Sequence, residues 1–215
     1  FNCDEILAPQ NEGLCEKPPF VFAHGFLASG DTFARPASLL RANGYPGNRL
    51  HVFDWNTFDQ EQDHNEALDS VIDAALDSSG CEQVILMGHS AGGGLSVSYL
   101  ENPEHAAKVH KYIHIGSFPL ENSPGPEGAA VPSMFLWSPD DLAVPVSGET
   151  DIPPCMTEAK MDDQDHYLVA TSPESFEAIY QFVFDTPPTT VEVPISTEPV
   201  DIGGRVLTLG ENAPL

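Results

Sequence analysis

The feature that most narrows the fold is a junction within residues 84–100. Four apolar residues, Val84-Ile85-Leu86-Met87, run directly into Gly88-His89-Ser90-Ala91-Gly92, and a helical pattern with Leu95, Tyr99 and Leu100 follows. A short unbroken apolar run reads as a strand buried on both faces. A strand that passes into a helix through Gly-x-Ser-x-Gly must reverse sharply, which holds the serine in a strained backbone conformation. Side chains at the flanking positions would collide there, so both are glycine. The following helix points its N-terminus at the serine and favours developing negative charge. Ser90 is therefore the candidate nucleophile, and a glycine-rich turn with an idle serine is the alternative.

The rest of the chain repeats the alternation. Further strands are predicted at Phe20–Ala23, His51–Phe53, Tyr112–Ile115 and Met134–Trp137. Asp31 is placed to cap a helix that buries Phe33, Ala37 and Leu40 and stops before Gly44. A second helix within 61–79 carries Leu68, Ile72, Ala75 and Leu76, closed by Gly80. Ser172-Pro173 opens a last one that buries Phe176, Ile179, Tyr180 and Val183. This predicts the α/β class, with a mostly parallel sheet covered by helices on both faces. The domain division expected is 1–185 catalytic, 186–199 a linker with prolines at 187, 188, 194 and 199, and 200–215 a β tail. That tail either packs on the main domain or begins an appended β module.

Charge excludes several functions. With 33 acidic residues against 8 Lys plus Arg, the net charge is −25, which repels nucleic acids and anionic membranes. No apolar run reaches the ~18 residues needed to span a bilayer. The acids are spread along the chain, which favours a solubility role over a specific cationic partner. Cys3, Cys15, Cys81 and Cys155 contain no CxxC pair, so zinc and thioredoxin-like sites are disfavoured. An even cysteine count in an acidic chain beginning at Phe1 suggests a processed, exported protein with two disulfides. Three pairings are open, of which Cys3–Cys15 with Cys81–Cys155 closes the shortest first loop. Four buried free thiols are the alternative.

A serine hydroxyl needs a base. Of eight histidines, His166 lies in Asp163-Gln164-Asp165-His166, after the last predicted strand and before the last helix. In a parallel sheet that loop shares its edge with Ser90. His114 reads as a core residue, and His51, His64, His105 and His110 as edge or helix positions. An acid should orient the imidazole. In Ser138-Pro139-Asp140-Asp141-Leu142-Ala143-Val144-Pro145 two adjacent acids compete, and the Asp-x-x-Val-Pro spacing favours Asp141 over Asp140.

His24-Gly25-Phe26, Gly88-His89-Ser90-Ala91-Gly92, Asp141 and His166 together resemble the α/β-hydrolases in residues and in chain order. More narrowly, Pro19 to Phe184 resembles small, lidless bacterial triacylglycerol lipases and esterases. The resemblance implies an α/β-hydrolase fold and hydrolysis of carboxylic esters, with Ser90, Asp141 and His166 catalytic. It places the oxyanion hole at the Phe26 and Ala91 N–H groups and points His24 and His89 elsewhere. The segment between Ser117 and Ser138 has no room for a helical lid. Phe26, Leu27, Phe118, Leu120 and Leu142 are candidates for an acyl groove, or ordinary loop anchors. The tail from Ile202 to Asn212 resembles the opening of carboxypeptidase-regulatory-like β domains, over a short stretch.

The expected partner is an ester or lipid substrate, with no nucleic acid, no stable membrane insertion, a monomeric chain and a secreted location. No cofactor and no metal are expected, and the acids from Asp59 to Glu66 read as solvated rather than calcium-binding. The same triad on polyesters, thioesters or amides is the second reading, and a binding protein on an inactive scaffold the third.

Overall fold

The computed structural model describes residues 15–59, 61–126, 130–146, 153–195, 199, 204 and 206–214. Six strands form one sheet: β1 (Phe20–Ala23), β2 (Leu50–Phe53), β3 (Val84–His89), β4 (Val109–Ile115), β5 (Ser133–Trp137) and β6 (Met156–Lys160). Their order is β2-β1-β3-β4-β5-β6, and every neighbouring pair is parallel. The helices are α1 (Ala34–Ala42), α2 (His64–Ser79), α3 (Ala91–Leu100), α4 (Pro103–Ala106), α5 (Leu168–Thr171) and α6 (Pro173–Phe184).

Successive strand residues point to opposite faces, so each buried strand feeds two cores. Phe20, Phe22, Ile85, Met87, Ile113 and Leu136 pack under α1, α5 and α6 with Leu39, Val169, Phe176 and Ile179. Val21, Val84, Leu86 and Tyr112 pack under α2 and α3 with Leu68, Ile72, Ala75, Tyr99 and Leu100. The sheet is thus covered on both faces, as the unbroken apolar strands required. Gly80, at φ 69, closes α2, and the Ser172 side chain caps α6 by accepting from the Ser175 N–H. Between β4 and β5 the described residues form neither helix nor strand.

The strand order sets where a site can form. From β1 the chain steps outward to β2, then crosses back to β3 and continues the other way. Loops leaving β1 and β3 therefore diverge above the sheet, the crevice in which parallel sheets place ligands.

Several expectations are corrected. Asp31 does not cap a helix. A 3₁₀ turn, Gly30–Phe33, precedes α1, and the Asp31 carboxylate instead accepts from Ser29 Oγ at 2.5 Å. Strand β6 escaped the sequence pattern because it is a half-buried edge strand in which Glu158 and Lys160 point to solvent. Cys15 pairs with Cys81, not within the shortest loop. Cys15 precedes β1 and Cys81 precedes β3, neighbours whose entries are tied by the Ile85 N–H on the Pro19 carbonyl (2.8 Å). Adjacency in the sheet, not in the chain, selected the pair. Cys155 is also disulfide-bonded, and Cys3 lies outside the described residues. Beyond α6 the described residues lie outside the sheet, and Leu207 and Pro214 form one antiparallel bridge.

Two expectations follow from this framework. The Cys15–Cys81 bond spans 66 residues, and loop-closure entropy for that span is worth about 4 kcal/mol. Urea unfolding of a Cys15→Ser/Cys81→Ser variant should show a loss approaching that size, and an unchanged midpoint would refute the role. His114 is fully buried in β4, where burial depresses its pKa to about 4. The unfolded chain then takes up a proton near pH 6.5 that the folded chain refuses until about pH 4, so stability falls as pH drops through that window. His114→Gln should flatten the decline in unfolding free energy between pH 7 and 4.5 by roughly 2 kcal/mol. Identical slopes in parent and variant would contradict it.

Candidate active site

The turn after β3 carries the strain that its glycines anticipate. Ser90 sits at φ 55, ψ −123, between the last residue of β3 and the first of α3. A non-glycine residue held there costs about 1–3 kcal/mol. A Cβ on Gly88 would lie 2.6 Å from the Gly92 carbonyl oxygen, and one on Gly92 would strike the Ala23 and His24 carbonyls. The turn is fastened to β4: the Ser90 N–H donates to Ile115 O (3.0 Å) and Ser117 Oγ donates to Ser90 O (2.7 Å). Ala91 begins a ten-residue helix, whose first N–H groups have no intrahelical acceptor.

The β1 exit packs against this turn. Gly25 has no space for a side chain, since a Cβ there would lie 2.9 Å from Ser90 Cβ and 3.4 Å from Ser90 Oγ. Gly25 to Ala28 form a tight turn closed by the Ala28 N–H on Gly25 O (3.2 Å), with Leu27 at φ 60. Phe26 is at its tip, beside the Ser90 turn. His24 is buried and donates through Nδ1 to Gly25 O (2.9 Å); burial lowers its pKa. It serves the turn rather than pointing into the site.

His166 lies in the loop after β6, and its Nδ1–H donates to Asp141 Oδ2 at 2.7 Å. Asp141, in the loop after β5, is only 1% exposed, and its other oxygen accepts from the Ala143 (2.9 Å) and Val144 (3.1 Å) N–H groups. Three donors thus compensate a buried carboxylate that would otherwise be expensive. Asp140 is exposed and accepts from the Asp163 N–H (2.8 Å), bracing the histidine loop instead of meeting the imidazole. Asp165 Oδ1 braces the same loop by accepting from Tyr167 (2.9 Å) and Leu168 (2.8 Å) N–H.

One residue within the motif has more to do than the sequence suggested. Nε2–H of His89 donates to His166 O (2.8 Å), with ring centroids 4.6 Å apart. Its pKa is lowered to about 4, first by burial and then by the His166 charge, so it stays neutral beside the imidazole. Contact across 77 residues leaves no local signal, and neither does the Ser117 bond to Ser90 across 27.

The apolar surroundings are partly those expected. Phe26 (55% exposed), Leu27, Phe118 (61%) and Leu142 (90%) are exposed, whereas Leu120 packs into a core with Phe135, Trp137, Val146 and Met156. Leu120 is therefore an anchor and not part of a groove. Phe58, edge-on to Phe26 at 5.6 Å, and Tyr167 are exposed apolar neighbours that the sequence pattern did not single out. A depression of about 340 Å³ beside His166 is lined by Asp140, Leu142, Ala143, Asp165 and Tyr167. Among the described residues, no group of three or more His, Cys, Asp or Glu side chains is placed to hold a metal ion, and no helix is long and apolar enough to cross a membrane.

Comparison with known proteins agrees with this architecture. The mature-form lipase BlEst2 of Bacillus licheniformis superposes with a TM-score of 0.57 at 17% identity, covering 78% of this chain and 91% of its own. Carboxylesterase CesB of Bacillus subtilis gives 0.56 at 14% identity, covering 81% and 86%. A bromoperoxidase of Bacillus anthracis gives 0.58 at 17% identity, covering 78% and 92%. Similarity at these identities concerns the fold, which hosts varied chemistry. The family model for the alpha/beta hydrolase fold matches residues 18–184. That span holds all six strands, the strained Ser90 turn and the Asp141–His166 pair, and the chain belongs to the α/β-hydrolase family.

Proposed function

We propose that the chain is an exported serine carboxylesterase or lipase that hydrolyses acylglycerol-type esters through an acyl-enzyme on Ser90. The observation that carries this reading is the hydrogen bond of His166 to the buried Asp141, at 2.7 Å, in loops on the same sheet edge as the strained Ser90 turn.

With Nδ1–H committed to Asp141, the other ring nitrogen of His166 is the base that takes the Ser90 proton as Oγ attacks the ester carbonyl. Negative charge then gathers on the carbonyl oxygen, where the Phe26 and Ala91 N–H groups stabilise it, each contributing ~3 kcal/mol. Asp141 holds the imidazole tautomer and stabilises the imidazolium. His166 returns the proton to the leaving alcohol, then activates water to release the acid. The histidines around it stay out of this proton traffic: His89 and His24 are held neutral by burial.

The substrate class follows from the surroundings. Phe26, Leu27, Phe118 and Leu142 offer an exposed apolar border, suited to the acyl part of a lipid ester. Without a helix between β4 and β5 in the described residues, the approach is open. The names of the lipase and carboxylesterase that share the fold agree with this chemistry. Disulfides support an oxidising, extracellular location, and a monomer suffices for the triad. A p-nitrophenyl ester series from acetate to palmitate, with thioester, amide and polyester substrates alongside, tests the reading. Ester hydrolysis should dominate, Ser90→Ala should lose ~10³-fold or more of kcat, and Asp141→Asn on the order of 10⁴-fold. Full activity in Ser90→Ala would overturn it, and preference for amides or polyesters would move the substrate to the second reading.

A further inference from the structure

Residues 207–214 touch the site from a distance in sequence that no motif reveals. They form a small hairpin: Leu207 pairs with Pro214, the Thr208 N–H donates to Ala213 O (2.9 Å) and the Asn212 N–H donates to Thr208 O (3.1 Å). Asn212 has φ 54, a conformation asparagine tolerates better than most residues. Its side-chain amide reaches three acceptors. Nδ2 lies 2.8 Å from Trp55 O, 3.1 Å from Ala28 O and 3.1 Å from His24 Nε2. With Nδ1 of His24 donating to Gly25, Nε2 is an acceptor there, shared with the Trp55 N–H (3.2 Å).

The neighbouring residues act on the same turn. Gly210 O accepts from the Thr57 N–H (2.7 Å) and from Thr57 Oγ1 (2.9 Å), and Thr57 Oγ1 accepts from the Leu27 N–H (3.3 Å). Gly210, at φ 77, fits only without a side chain: a Cβ would lie 2.6 Å from Phe58 Cε2 and 2.9 Å from Leu27 Cδ2. Both connections converge on Gly25 to Ala28. Leu27, at φ 60, holds the position that type II turns give to glycine. A strained turn of this kind persists only where its surroundings over-determine it. Here the hairpin holds Ala28 O, Leu27 N (through Thr57) and the His24 ring, on both sides of Phe26.

We infer that residues 207–214 clamp the oxyanion turn, and that Asn212 is a positioning residue that aims the Phe26 N–H at the developing oxyanion. The inference rests on the assignment of Phe26 as an oxyanion donor. Asn212 touches no reacting atom. With its two N–H donors shared among the Ala28 and Trp55 carbonyls and the His24 ring, the amide fixes the turn in the orientation that the transition state uses. The tail is then part of the catalytic apparatus rather than an inert extension.

The test uses the full chain with Asn212→Asp and Asn212→Gly, both of which tolerate positive φ while removing the amide donors. Thr57→Val removes the hydroxyl that joins the Leu27 N–H to Gly210 O, leaves the Thr57 N–H bond to Gly210 O and keeps the side-chain shape. Each variant is measured for kcat and KM on p-nitrophenyl butyrate, for affinity toward a trifluoromethyl ketone that forms a tetrahedral oxyanion on the serine, and for melting temperature. The expected result is a kcat lower by about 10- to 100-fold, KM changed by less than about 3-fold, and inhibitor affinity lowered in step with kcat/KM. Unchanged kcat in folded Asn212 variants, or reduced kcat with unchanged inhibitor affinity, would overturn the inference. If the Asn212 variants do not fold, Thr57→Val carries the same two outcomes. Ser90→Ala separates the failures. An active Ser90→Ala removes the underlying mechanism, whereas an inactive Ser90→Ala beside fully active Asn212 and Thr57 variants removes only the clamp.

Discussion

Everything at the proposed site depends on how closely β3 can leave the sheet against β1. Gly92 sits so near the Ala23 and His24 carbonyls, and Gly25 so near Ser90, that neither position admits a side chain. That contact forces Ser90 into its strained conformation and brings the Phe26 turn beside it. It also puts the start of α3 directly after Ser90. The strain is sustained by bonds from β4, through Ile115 and Ser117, so the energy comes from packing far larger than the turn itself. A parallel sheet with its switch point between β1 and β3 supplies this geometry as a consequence of connectivity.

The other half of the site is electrostatic. Asp141 is the buried carboxylate of the centre, and its hydrogen bonds come from His166 and two backbone N–H groups. The same loop donors that make it tolerable fix where the imidazole must stand. His89 adds a second restraint from below, tying the His166 backbone while remaining neutral. Two histidines 4.6 Å apart would repel if both were charged. Burial keeps His89 neutral, so no second charge stands beside the His166 ring.

Legibility in the sequence tracked burial. β1, β3, β4 and β5 are buried along their whole length and their apolar runs stood out, as did the glycines of the Ser90 turn, because their constraints are local. β6 did not, because an edge strand with Glu158 and Lys160 outward reads as a polar loop. Spacing favoured Asp141 over Asp140, but the physical difference between these adjacent carboxylates, which one the turn buries, is not local to the sequence. Disulfide pairing stayed open in the sequence because chain distance does not select it, whereas strand adjacency brings Cys15 to Cys81. His89 to His166 and Asn212 to Ala28, 77 and 184 residues apart, lie beyond any periodicity.

The nucleophile is the point on which the account stands or falls, and it is open to direct chemical identification. The full-length protein would be treated with a fluorophosphonate, digested and sequenced by tandem mass spectrometry, before and after competition with an ester substrate. The account predicts one phosphonylated residue, Ser90, with labelling suppressed by substrate. A modification confined to another residue, or no adduct on protein that hydrolyses esters, would contradict it.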